Sequence, residues 1–548
     1  NEKVEFDLNI TFDAAYQVIA NGKLVATSNE EPKSIMWSFD MQKPMSSYLL
    51  AFAIGNYDKK TIASASGIPI ELYYYPQDSL RVEPTYRHTK TMFDFLETEI
   101  GLRYPWQNYK QIPVKDFLYS GMENTTATIF SDAYVIDTTA FIDKNYVNVN
   151  AHELAHQWFG NLVTATNGNH HWLQEGFATY YALLAEKEVF GDDYFYWKLH
   201  KTAEQLQSMS EDNKGEALTD AKASSLTFYE KGAWALVALR NQLGENAFKT
   251  GIKNYLETYK FKNVTIQNFL AEMEQASGKN LGTFESVWLS NTNFPTIEAK
   301  TYLKNNSESL AAYFELQEKL ENTTDKAEKL NFITEIYGKT NSTTLKSALI
   351  SKYFTLLPEE FIKNVFLSNE IELRQAIILA TDSIPETLKS DYETLLDDKS
   401  YLTLESALYK LWASFPEDQK KYLDATDGVV GLPNKNIRLL WLTLAIASQN
   451  YNGLKTKEYF DELTSYTNPK YGTETRQTAF TYLYQTLGLT DANLKDLADA
   501  SVHHSWQFKK FARNLIDELV KDADYKNRIK ELVLTLNIEE QRYIKSKL

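Results

Sequence analysis

The stretch Val149-Asn150-Ala151-His152-Glu153-Leu154-Ala155-His156-Gln157-Trp158-Phe159-Gly160-Asn161 constrains this chain most. Residues four apart lie on nearly the same face of a helix, so His152 and His156 can aim two imidazoles at one point. Glu153 sits beside them and can reach a water held there. A single helical turn thus offers two metal ligands and one general base. With eight histidines in 548 residues, the pattern alone is only moderately specific, because two ordinary helical histidines also satisfy it.

Zinc bound by two histidines needs a third protein ligand and an open position for water. The chain has no cysteine, so the third ligand must be His or a carboxylate. Glu175 lies nineteen residues after His156, on a second predicted helix over 172–190. Leu173, Phe177 and Leu184 are predicted to pack inward there, which leaves Glu175 on a largely buried segment. A buried carboxylate is costly unless it is paired or bound to metal. The short loop 163–171 lets the second helix return beside the first. One Zn2+ per chain, held by His152, His156 and Glu175, is the expected centre. His170 and His171 precede the Glu175 helix and are expected to serve the loop or support the ligands.

A chain of 548 residues exceeds what one hydrophobic core can hold, so several domains are expected. Residues 1–75 read as β. Val4, Phe6, Leu8, Ile10 and Phe12 alternate with polar residues, predicting a strand with one buried face. Asn21-Gly22, between apolar runs at 16–20 and 23–26, predicts a hairpin. The apolar run 47–54 suits a central strand. The first strand starts almost at residue 1, so earlier strands of the same domain are expected to precede this sequence.

Residues 76–295 read as mixed α/β turning helical. An amphipathic helix is predicted over 85–100 and an extended region over 112–136. Helices follow over 148–159, 172–190, 194–209, 226–242, 245–259 and 266–276. From 296 to 548, helical patterns recur between Pro, Gly, Asn and Asp, for example over 344–355, 358–367, 371–380, 403–413, 436–448 and 506–521. They read as a solenoid-like stack of helix pairs, without a clean sequence repeat. That region holds no tight cluster of catalytic residue types and is expected to pack and gate.

The formal net charge of −16 and the absence of a Lys/Arg-dense run make this chain a poor partner for a polyanion, so no nucleic-acid partner is expected. No apolar run reaches ~18 residues, so no transmembrane helix is predicted. The compartment stays open: a soluble chain, cytoplasmic or exported.

Three motifs occur in order: Gly121-Met122-Glu123-Asn124; His-Glu-x-x-His, eighteen residues and Glu175; and Phe228-Tyr229-Glu230-Lys231-Gly232-Ala233. Together they resemble the M1 family of zinc aminopeptidases, the aminopeptidase N-like gluzincins. Ser120-Gly121 stands where that family usually has Gly-Ala. The resemblance implies an α+β multidomain fold. Residues 1–75 would be the last part of an N-terminal β domain, 76–295 a thermolysin-like zinc peptidase domain, and 296–548 an α-helical, HEAT-like domain. The direct passage from Phe294-Pro295 into helices implies that the small β-sandwich of some members is absent.

The implied activity is hydrolysis of the N-terminal bond of peptides with a free N-terminus. Glu153 would be the general base, and Tyr229 would stabilise the developing oxyanion. Gly121, Met122, Glu123 and Asn124 would bind substrate, with Glu123 pairing its α-ammonium. Family members usually add a second contact to that ammonium from the β domain's earlier part, so Glu123 alone is in view. An epoxide-hydrolase-type enzyme on the same zinc site and a non-catalytic scaffold are the rivals; intact ligands and base disfavour the scaffold.

Overall fold

The alternating run near the start forms strand Asp7–Asp13, antiparallel to Ser34–Asp40, which pairs in turn with Lys23–Glu31. These are coordinates of a computed structural model describing residues 2–448 and 451–548. Leu8 and Ile10 are half-buried, but Phe12 is 41 % exposed, so the expected buried face is only partly covered.

Asn21-Gly22 does not close a hairpin. Gln17–Ala20 pairs with Phe52–Gly55, whereas Lys23–Glu31 joins the other sheet, so the chain changes sheet at this corner. The cause is distant hydrogen bonding. Asn21 Nδ2 donates to the Thr125 carbonyl at 2.6 Å and the Leu49 carbonyl at 3.2 Å, and its Oδ1 accepts from Ala51 N at 2.7 Å. Gly22 N donates to Thr126 Oγ1 at 2.8 Å. The expected strand 47–54 is corrected by the same contacts. It begins as a 3-10 turn, Ser47–Leu49, whose last carbonyl also accepts from Asn124 Nδ2 at 3.2 Å, and becomes a strand only at Phe52–Gly55.

A five-stranded sheet follows, in the order Gly121–Met122, Ala127–Ser131, Tyr109–Val114, Pro69–Tyr74, Asp58–Ala63. Its three central strands are parallel and its two outer strands antiparallel. Gly121–Met122 is an edge strand, the kind of position at which another extended chain can add to a sheet.

Helices Val147–Ala155 and Trp172–Phe190 pack together beside this sheet. Phe159, Phe177, Tyr181 and Phe269 interlock around them, with ring centroids 4.7–5.1 Å apart. The first helix stops at Ala155, short of the expected 159. The chain then tightens, with Asn161 N donating to the His156 carbonyl at 3.0 Å. The helix expected over 226–242 is in fact a π turn, Thr227–Lys231, running into helix Gly232–Leu243.

The chain divides into two compact units: Asn1–Val114 with Tyr119–Ser131 and Asn145–Leu345, and Lys115–Leu118 with Asp132–Lys144 and Lys346–Leu548. The second is helical, with Glu359–Ser368, Ile371–Ala380, Tyr401–Ser414, Asn436–Ala447 and Trp506–Leu519 close to their expected places. Within it, Asp143 accepts from Ser400 Oγ at 2.8 Å and Gln375 Nε2 at 2.9 Å, which fastens the excursion Asp132–Lys144 to the helices. Among the described residues, no helix is long and apolar enough to cross a membrane.

The corner at Asn21 is testable. Asn21→Ala takes the Asn21 partner from the Thr125 carbonyl and the Ala51 amide, while the Leu49 carbonyl keeps Asn124, at an expected cost of about 3 kcal/mol. An unchanged denaturation midpoint would show that the corner holds without it.

Candidate metal centre

His152 lies in the last turn of Val147–Ala155, and His156 is its C-terminal cap. Glu175 lies in the first turn of Trp172–Phe190. The two imidazole Nε2 atoms are 3.0 Å apart, and Glu175 Oε2 lies 3.4 Å from His152 Nε2 and 3.3 Å from His156 Nε2. All three residues converge within one small volume.

Hydrogen bonding sets which nitrogen each ring presents. His156 Nδ1 lies 2.9 Å from the Phe159 carbonyl, which can only accept, so Nδ1 carries a proton and Nε2 is the nitrogen turned toward Glu175. His152 Nδ1 lies 3.5 Å from Thr179 Oγ1. Both rings thus turn Nε2 inward. Glu175 Oε2 is buried without a hydrogen bond, although both rings are near it. Two imidazole nitrogens and one carboxylate oxygen facing one point are a candidate set of metal ligands, of the kind that fits zinc with one position left open.

The electrostatics point the same way. Burial works against the Glu175 anion, but the facing His156 and His152 imidazoles hold it well below the usual carboxylate range. Burial likewise works against charged His156, yet Glu175, Glu123 and Glu153 push it up to about 10. Burial raises the Glu153 carboxyl well above its ordinary value, with Glu123 and Glu175 adding to the effect. Burial also raises Glu123, and Glu175 adds to it. Three buried acids around one imidazole make a pocket that favours positive charge.

Glu123, Glu153 and His156 bring their polar atoms within 4.8 Å of one another, so the Glu123 carboxylate stands beside the ligand set. Gly121 passes directly under Glu153. A Cβ at 121 would lie 2.5 Å from Glu153 Oε1, so any side chain there displaces Glu153 from this position. Met122 is half-buried beside it, and Asn124 turns away to the Leu49 carbonyl.

Tyr229 rides on the π turn, with its ring parallel to His152 at 5.3 Å between centroids and 2° between planes. Burial and the Glu175 carboxylate keep its phenol protonated by raising it above its ordinary value. Such turns, with one residue inserted into a helix, recur at functional sites. Two contacts hold this one. Lys231 Nζ donates to the carbonyls of Glu216 at 2.6 Å, Asn291 at 2.6 Å and Thr292 at 3.2 Å. Gly232 meets Gly176 backbone to backbone, so that a Cβ at Gly176 would lie 2.9 Å from Gly232 Cα. The residues after Glu175 and Lys231 are therefore glycines because the two segments touch there.

Several supporting residues had no role in the sequence reading. Thr179, Gln174, Gln157, Asn161 and Lys231 are polar side chains buried in apolar stretches, which was the available signal. Gln174 links Ala165 N at 3.0 Å to the Tyr48 hydroxyl at 3.2 Å. His171 Nε2 lies 3.4 Å from Glu175 Oε1, with its ring edge-on to Phe228. His170 Nδ1 accepts from Ile266 N at 3.3 Å, a loop contact.

Comparison with known proteins gives a match to the peptidase family M1 domain over residues 85–288. Glutamyl aminopeptidase of Bos taurus is 29 % identical over 317 residues, covering 54 % of this chain and 32 % of that protein. Aminopeptidase N of Streptomyces lividans is 28 % identical over 303 residues, covering 52 % and 35 %. The matched stretch is thus about a third of the length of these relatives. A solved M1 zinc metallopeptidase of Deinococcus radiodurans aligns at 23 % identity with a TM-score of 0.46, covering 54 % of this chain and 65 % of that one. His152, His156, Glu175, Glu123 and Tyr229 all lie inside the segment 85–288 that is similar to the peptidase family M1 domain.

Proposed function

We propose that this chain is a zinc-dependent aminopeptidase that removes the N-terminal residue of peptides. The observation that carries this reading is the Glu123 carboxylate beside Glu153 and His156, at the edge of the ligand set. An anion fixed there pairs with a free α-ammonium and measures one residue to the scissile bond. The named aminopeptidase relatives support the same reading.

His152, His156 and Glu175 would hold one Zn2+. When bound, zinc supplies a Lewis acid for the scissile carbonyl and lowers the pKa of water. Glu153, raised by burial, accepts a proton from the attacking water and returns it to the leaving amine. Tyr229, kept protonated, donates to the oxygen as negative charge develops there. Gly121 and Met122 offer edge-strand backbone to the substrate's extended chain. The layout we propose assigns 1–75 to the end of a β domain, 76–295 to the peptidase domain and 296–548 to a helical domain.

Three outcomes are expected. Aminoacyl chromogenic substrates are turned over, activity is lost to a chelator and returns with zinc, and Glu153→Gln keeps zinc while turnover falls about a thousandfold; full activity in that variant removes Glu153 as base. N-acetylated substrates are cut far more slowly than free ones, and equal rates would remove Glu123 from its role. His171→Ala weakens zinc binding about tenfold in competition with a chelator, because Glu175 Oε1 loses its neighbour; unchanged affinity would leave His171 no part in holding that carboxylate.

A further inference from the structure

A carboxylate that measures substrate length needs a fixed backbone beneath it. The sheet does not provide this, because the edge strand ends at Met122. The Glu123 carbonyl instead accepts from Asn161 Nδ2 at 2.7 Å and Gln157 Nε2 at 3.3 Å. Both donors belong to the segment that follows His156. Their side chains are fully buried, away from solvent and substrate alike.

Each donor is itself held. Asn161 N donates to the His156 carbonyl at 3.0 Å, and its own carbonyl accepts from Lys3 Nζ at 2.6 Å. Gln157 Oε1 accepts from Thr126 N at 3.0 Å, where Thr126 sits at a φ of 65°, a costly backbone for a β-branched residue. Its main-chain carbonyl accepts from Trp106 Nε1 at 3.1 Å. The Glu123–Thr126 turn is thus gripped at both ends by one glutamine and, at Glu123, also by one asparagine.

We propose that Asn161, assisted by Gln157, is the positioning residue that sets the distance between the metal ligands and the site of the substrate's α-ammonium. It acts through Glu123 and touches no substrate. This rests on the aminopeptidase reading above. Without the Asn161 donor the Glu123 carbonyl keeps only the longer bond to Gln157, and the carboxylate shifts relative to His156. The loss falls on recognition of the free amine, while zinc binding and Glu153 are spared.

The test uses the zinc-loaded full chain. Asn161→Asp keeps the shape but loses the donor, and Asn161→Leu loses both polar atoms. The kcat/KM of an aminoacyl substrate is compared with that of its N-acetylated counterpart, alongside zinc content and Tm. The expected result is a fall in the free-to-acetylated ratio of between about tenfold and a hundredfold, mainly through a higher KM, with zinc content unchanged. In a Glu123→Ala background, Asn161→Asp should lower that ratio no further. Folded variants that keep the wild-type ratio, equal losses on both substrates, an additive loss in the Glu123→Ala background, or failure of both variants to fold would each overturn the proposal. A wild-type chain with no preference for free amines would overturn the aminopeptidase reading with it, whereas a preference kept in the variants overturns this inference alone.

Discussion

Glu123, Glu153 and Glu175 are buried around a single imidazole, that of His156, and the surrounding structure answers to that concentration of charge. Carboxylates taken from water are expensive to bury unless a cation or dense hydrogen bonding compensates them. Here the compensation is organised in advance. The Phe159 carbonyl turns His156, Thr179 faces the far nitrogen of His152, and His171 stands at the outer oxygen of Glu175. The result is a set of donors aimed at a point rather than at one another, which is the condition for binding a divalent ion tightly.

What could be read from the sequence follows the range of the interaction that decides each feature. His152, Glu153 and His156 are visible because helical period alone puts them together. Glu175 is visible because an acid among Leu173, Phe177 and Ala178 asks for a reason. The helices of 346–548 are legible for the same local cause. Glu123 and Tyr229 are different: nothing in their neighbourhood marks them, and only resemblance to a family singled them out. The π turn at Thr227–Lys231 is invisible to period counting, since one inserted residue barely disturbs a run of helix formers. The corner at Asn21 has the sequence of a hairpin because the turn rule weighs only neighbours. The deciding acceptors are 28 and 104 residues away.

That corner also ties the first residues of the chain to its chemistry. Asn21 and Asn124 share the Leu49 carbonyl, and Asn21 reaches Thr125, two residues after Glu123. Tyr48, next to Leu49, meets Gln174, the residue before Glu175. The β region therefore braces both the turn that carries Glu123 and the helix start that carries Glu175. The strands Gln17–Ala20 and Phe52–Gly55, which flank Asn21 and Leu49, are part of that support.

The meeting of Gly176 with Gly232 has a thermal consequence. Where two main chains touch, no rotamer lies between them to hop or compress. The gap from Glu175 to Tyr229 is then governed by how far whole helices move. Such collective motion is slower than the picosecond-to-nanosecond flips of exposed side chains. Warming loosens most polar clusters gradually, one side chain after another. This one is built to keep its spacing until the helices themselves part, so that the site ages with the fold rather than ahead of it.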